Sequence, residues 1–97
     1  MSKQNDKPNV CFVLEYGRNW DGGAQERDTA LAAIRAVDAK AQIDVKCVSK
    51  VRVVIKHDNK VIFDSPQRNL FKKYAHLRTP AIAEMKSAVR RAIDSSI

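Results

Sequence analysis

The side chains of this chain with chemistry to offer are two thiols, two imidazoles and a set of clustered cations. The thiols are Cys11 and Cys47; the imidazoles are His57 and His76. A zinc site needs ligand pairs a few residues apart, and these four are scattered singly, so no metal centre is expected. Each cysteine falls in a stretch that reads as a β-strand, where such a residue is ordinarily a small, inert hydrophobe. A reactive thiol would have to be exposed or close to a strand end, so Cys11 and Cys47 stand as possible reactive thiols. His57 reads as a turn residue and His76 as part of a basic segment, surface positions rather than general bases. No Ser/His/Asp arrangement is readable. Gly22-Gly23 precedes a helix but lacks the Gly-Lys-Ser/Thr ending of a phosphate loop. No catalytic residue, metal ligand or cofactor is predicted.

The cations are unevenly placed. Residues 1–48 hold seven Lys/Arg and seven Asp/Glu, whereas residues 49–97 hold eleven and four, so the formal charge of +7 lies entirely in the second half. Such an excess suits an acidic partner: nucleic acid such as RNA, an anionic membrane surface or an acidic protein. Gln67-Arg-Asn-Leu-Phe-Lys-Lys-Tyr-Ala-His-Leu-Arg78 interleaves cations with Phe71, Tyr74 and His76. That pattern fits phosphate contacts with base stacking. It equally fits a helix packed on a sheet with its cations solvated. The candidate basic patch is Arg68, Lys72, Lys73, Arg78, Lys86, Arg90 and Arg91.

The elements that must position these groups follow from periodicity. Val10–Leu14 is an unbroken apolar run, as expected of a strand covered on both faces, and the strand is placed at Val10–Tyr16. The loop Tyr16-Gly17-Arg18-Asn19-Trp20-Asp21-Gly22-Gly23 leads into a helix over Ala24–Ala39, with Ala30, Leu31, Ile34 and Val37 on one face. Glu26 and Asp28 sit in its first turns, where the helix dipole favours negative charge. Trp20 beside Arg18 reads either as an anchor for a partner or as packing at the domain edge. Ile43–Val48 alternates as a half-buried strand, and Val51–Lys56 follows it. His57-Asp58-Asn59-Lys60 reads as a hairpin turn because Asp and Asn tolerate the left-handed backbone. Val61–Asp64 returns, and Ser65-Pro66 stops it. The spacing of Leu70, Phe71, Tyr74 and Leu77 predicts a short helix or a packed loop. Thr79-Pro80 then predicts the start of the last helix, with Thr79 as its cap and Ile82, Met85, Val89 and Ile93 as its core stripe.

Ninety-seven residues, 44% of them apolar, make one domain. Residues 1–9 read as a disordered lead-in, and residues 10–97 as the domain. No apolar run reaches the length of a membrane span, and nothing resembles a secretory signal. The expected setting is intracellular and reducing, the cytoplasm first. The element order β-α-β-β-β-α, with a right-handed crossover first and an antiparallel hairpin later, predicts an α/β two-layer sandwich on a mixed four-stranded sheet.

Over about Val10 to Ile93 this order resembles the thioredoxin-like family of selenoprotein W and its cysteine-containing relatives. The hairpin Val53-Val-Ile-Lys-His-Asp-Asn-Lys-Val-Ile-Phe63 and the closing Met85-Lys-Ser-Ala-Val-Arg-Arg-Ala-Ile93 are similar to that family's hairpin and last helix. There, the first strand ends in a Tyr-Cys-x-x-Cys loop or its selenocysteine equivalent. Here the equivalent loop is Tyr16, Gly17, Arg18, Asn19 and Trp20, with Gly17 and Trp20 at the two reactive positions. The family's thiol chemistry therefore does not carry over. The resemblance also requires the link from the second to the third strand to cross the first, about 10 Å. Ser49-Lys50 alone is too short for that crossing. The second strand is therefore expected to end near Val45, with Lys46–Lys50 as the link; a simple meander is the alternative. The function expected first is a non-catalytic thioredoxin-like module that binds or assembles proteins. Behind it stand an RNA-binding or ribonucleoprotein component, and an oxidoreductase using a single cysteine.

Overall fold

The computed structural model describes residues 11–18 and 23–95. The lead-in at 1–9 and two loop residues, Asn19 and Trp20, lie outside them. The element order is β1 (Cys11–Gly17), α1 (Ala24–Val37), β2 (Gln42–Val48), β3 (Arg52–His57), β4 (Lys60–Pro66), a 3-10 turn (Gln67–Leu70) and α2 (Ala75–Ser95). The sheet order is β2-β1-β3-β4. β1 and β2 are parallel, while β3 runs antiparallel to both β1 and β4. This is the expected α/β two-layer sandwich with a mixed four-stranded sheet in a thioredoxin-like arrangement. None of the described helices is long and apolar enough to cross a membrane.

One face of the sheet is covered. Phe12 and Leu14 of β1, Val53 and Ile55 of β3 and Phe63 of β4 are buried there with Ala30, Ala33 and Ile34 of α1 and Met85 and Val89 of α2. Each such side chain, fully buried, contributes about 1.5–3 kcal/mol where it is large. The other face is open. Val13 and Glu15 of β1 point into it and are half-buried, so the apolar run of β1 is not covered on both sides as expected. Pleating turns the run into alternation once helices lie on one side only.

The hairpin turn is as expected: Asp58 and Asn59 both adopt positive φ, 53° and 66°, the backbone of a two-residue hairpin loop. α1 ends at Val37 rather than Ala39. Asp38 leaves the helix, its carboxylate accepts from Lys40 N at 3.0 Å, and its carbonyl accepts from Ala41 N. Such an Asx turn competes with the helical ladder.

Two expectations are corrected. β2 does not stop near Val45; it pairs with β1 in unbroken register to Gly17↔Val48. The link is Ser49 to Val51, and it does cross the end of β1. Four Cα–Cα steps reach about 13–14 Å, enough for two inter-strand gaps of about 5 Å each, provided nothing obstructs the path. Gly17 removes the obstruction, since a Cβ there would stand 1.8 Å from the Lys50 carbonyl oxygen. α2, in turn, begins at Ala75, not at Pro80, which lies inside it. The Tyr74 carbonyl accepts from both Leu77 N and Arg78 N at 2.9 Å, starting the helix before the proline.

Candidate functional site

At the end of β1, the expected place for chemistry, the backbone rather than a side chain is held. Gln67 is fully buried. Its Oε1 accepts from Gly17 N at 2.9 Å, and its Nε2 donates to Gly17 O at 2.7 Å and to Glu26 Oε2 at 2.6 Å. A side-chain amide thus pairs with a strand residue as another strand would, using both of its N–H groups. Glu26 is also fully buried, and Gln67 N donates to Val51 O at 3.4 Å. One glutamine therefore joins β1, α1 and the crossing link. Neither residue was expected here: Glu26 read as a helix-dipole charge, and Gln67 as the edge of a basic stretch.

Gly23 closes the loop from the far side. It caps α1 with φ 82°, and a Cβ there would meet Gly17 O at 2.6 Å and the Tyr16 ring at 2.7 Å. Left-handed backbone and lack of room both demand glycine. Tyr16 lies under the Arg27 guanidinium, 5.9 Å from ring centre to carbon. Hydrogen bonding to Asp28, and then to Tyr16, pushes the Arg27 pKa further up, so that cation is permanent. Arg18, next to the clasp, is exposed.

Both thiols, Cys11 and Cys47, lie in strands, as expected, but are exposed rather than packed as small hydrophobes. Cys11 starts β1, where its Sγ donates to Gln42 Oε1 at 3.2 Å. Cys47 is in register with Tyr16, five residues further along β1, so the two thiols sit at opposite ends of the strand pair. At about 3.3 Å per residue they cannot form a disulfide with each other. His57 is not the surface residue expected. Its side chain is 12% exposed, its ring lies 5.3 Å from Phe12, and Nδ1 donates to the Cys11 carbonyl at 3.1 Å. His76 is exposed and edge-on to Tyr74. Among the described residues no cluster of three or more His, Cys, Asp or Glu could hold a metal.

The seven patch cations do not form one surface. Lys72 and Arg78 border a hollow with Gln25, Asp28 and Thr29, where Arg78 Nη2 donates to Thr29 Oγ1 at 3.2 Å and Lys72 N to Gln25 Oε1. Lys86 and Arg90, four apart, share one flank of α2. Arg91 lies on the other flank, in a cleft of about 480 Å³ with His57, Lys60 and Ile62. Lys73 covers the Tyr74 ring, itself stacked on Phe71 at 5.9 Å, and Arg68 is exposed on the 3-10 turn. Leu70 is fully buried, and Phe71, Tyr74 and Leu77 are half-buried. The aromatic stretch therefore packs on the domain while Arg68, Lys72 and Lys73 are exposed and Arg78 is half-buried against α1.

No protein-family model matches the chain, and no curated protein or solved structure matches it either.

Proposed function

We propose that the chain is a non-catalytic thioredoxin-like binding module, as its resemblance to selenoprotein W suggests, and that the loop end of the sheet grips a protein partner. What carries this reading is the clasp on Gly17. A nucleophile at that position would need a Cβ where the Lys50 carbonyl already stands, and the surrounding polar groups are spent on holding backbone. Arg18 and the Tyr16–Arg27 pair lie beside that end and offer an aromatic and two cations to a partner. Insulin reduction in the presence of dithiothreitol tests the reading. No turnover above the reagent's own background is expected. Thiol-dependent turnover that disappears in Cys47→Ser or Cys11→Ser overturns it in favour of the single-cysteine oxidoreductase.

An acidic partner or RNA is a second reading, favoured by one observation. None of the seven patch cations forms an ion pair with a described acid, whereas Lys46, Arg52 and Lys56 on the open sheet face each do. Capture from native extract with and without nuclease separates the readings. A partner lost on nuclease treatment points to RNA, and one retained points to protein.

A further inference from the structure

The geometry points to β2 as a self-association edge, with a second copy of this chain adding its own β2 antiparallel across a two-fold axis at Val45. This holds independently of what the loop end binds. β2 is an outer strand, and its burial runs exposed at Gln42, Asp44, Val45, Lys46 and Cys47, with only Ile43 and Val48 half-buried. The reason lies in the helix layer. α1 packs on β1 and β3, and α2 packs on β4, so on the helix side of β2 only Ile43 packs against the core. Val45 is consequently 38% exposed with Cys47 beside it.

The two edges of the sheet differ. β4 is interrupted by a bulge opposite Ile55/Lys56 and closes on Pro66, devices that blunt an edge. β2 has neither Pro nor Gly, and seven consecutive residues in straight register with β1. Such a strand is a template for another.

Charge selects both the occupant and the register. Asp44 and Lys46 share the open face of the sheet, since their β1 partners are Val13 and Glu15. Pleating requires residues facing each other across a two-fold to lie on the same face, which allows centring on residue 44, 45 or 46. Centring on 44 sets Asp44 against Asp44 of the second copy, and centring on 46 sets Lys46 against Lys46. Only Val45 at the axis pairs Asp44 with Lys46 twice over, with Ile43 facing Cys47 on the helix side. Within one copy these two charges meet only at 3.8 Å. A strand that is attractive to itself in one central register and repulsive in the neighbouring two specifies its own copy.

Sedimentation equilibrium of the full chain, loaded from about 1 μM to about 1 mM, reads the association directly. A reversible dimer is expected. Asp44→Lys and Lys46→Asp should each raise its Kd about tenfold or more, since two facing pairs turn repulsive, and the double swap should return it to within about threefold. Both side chains are exposed, so folding is kept. As an independent measure, Val45→Cys in a Cys11→Ser/Cys47→Ser background should oxidise to a covalent dimer much faster than Val61→Cys on the β4 edge. A monomer throughout the range, a dimer indifferent to the single reversals, or equal oxidation at 45 and 61 overturns the proposal.

Discussion

At Gly17 the smallest residue carries the largest constraint. Its α-carbon lies under the Lys50 carbonyl, its N–H and C=O are both taken by Gln67, and its oxygen also crowds Gly23. Gly17→Ala therefore forces the crossing link off the strand end, and a loss of about 3 kcal/mol or more is expected, as for severe overpacking. Gln67→Leu keeps the volume but removes the partner of the Gly17 N–H and of the Gly17 C=O at a buried site. Each buried group so abandoned costs about 1–3 kcal/mol, so a total of about 3–5 kcal/mol is expected. Urea unfolding followed by circular dichroism measures both variants. A loss under about 1 kcal/mol in either would mean that the clasp is not fixing the strand end. This cluster was invisible in the sequence. A glycine, a glutamate and a glutamine separated by up to fifty residues carry no periodicity, and only the crossing brings them together.

Among the elements, those governed by periodicity and turn chemistry were legible. The alternation of β3, the Asp58-Asn59 turn and the Met85/Val89 stripe of α2 each follow from local residue types. What was misread depended on distant packing. The expected face of α1 holds, with Ala30 and Ile34 in the core and Leu31 and Val37 packed against it, but the fully buried Glu26 beside it was not foreseen. The link after β2 looked too short because the room made by Gly17 was not visible. Thr79-Pro80 is a sound statistical start for a helix. Here Arg78, held on Thr29 of α1, and the half-buried Leu77 extend α2 back to Ala75. Pro80 then deprives the His76 carbonyl of a partner within the helix. Pro80→Ala should stabilise the fold by about 1–2 kcal/mol, the helical gain less the greater freedom of the unfolded chain. Had the helix begun at Pro80, the same change would destabilise it. Thermal denaturation of the single variant, read by its sign, discriminates.

Across the whole molecule, charge is sorted by face. On the open side of the sheet, Glu15–Lys56 and Arg52–Asp64 pair diagonally across strands, Asp44–Lys46 pairs along β2, and the charges cancel. The seven patch cations, on the 3-10 turn, α2 and the segment between them, have no such partners among the described residues. The sheet face is thus close to neutral, whereas the cations on the helical side are left without such compensation. An open sheet that stacked bases would expose aromatic side chains; the side chains here are Val13, Val54, Val61 and the paired charges. Any acidic partner should therefore meet the helices. Lys86 and Arg90 share a flank of α2, and their combined reversal, Lys86→Glu with Arg90→Glu, should bring elution from heparin to clearly lower salt. Removing one cation that neutralises a phosphate flattens the dependence of log K on log salt by about 0.7–0.9. Lys46→Gln, which removes one cation from an existing pair on the neutral face, should leave elution nearly unchanged. Equal shifts in the two variants would mean that retention follows net charge alone, and that sorting by face does not select the partner.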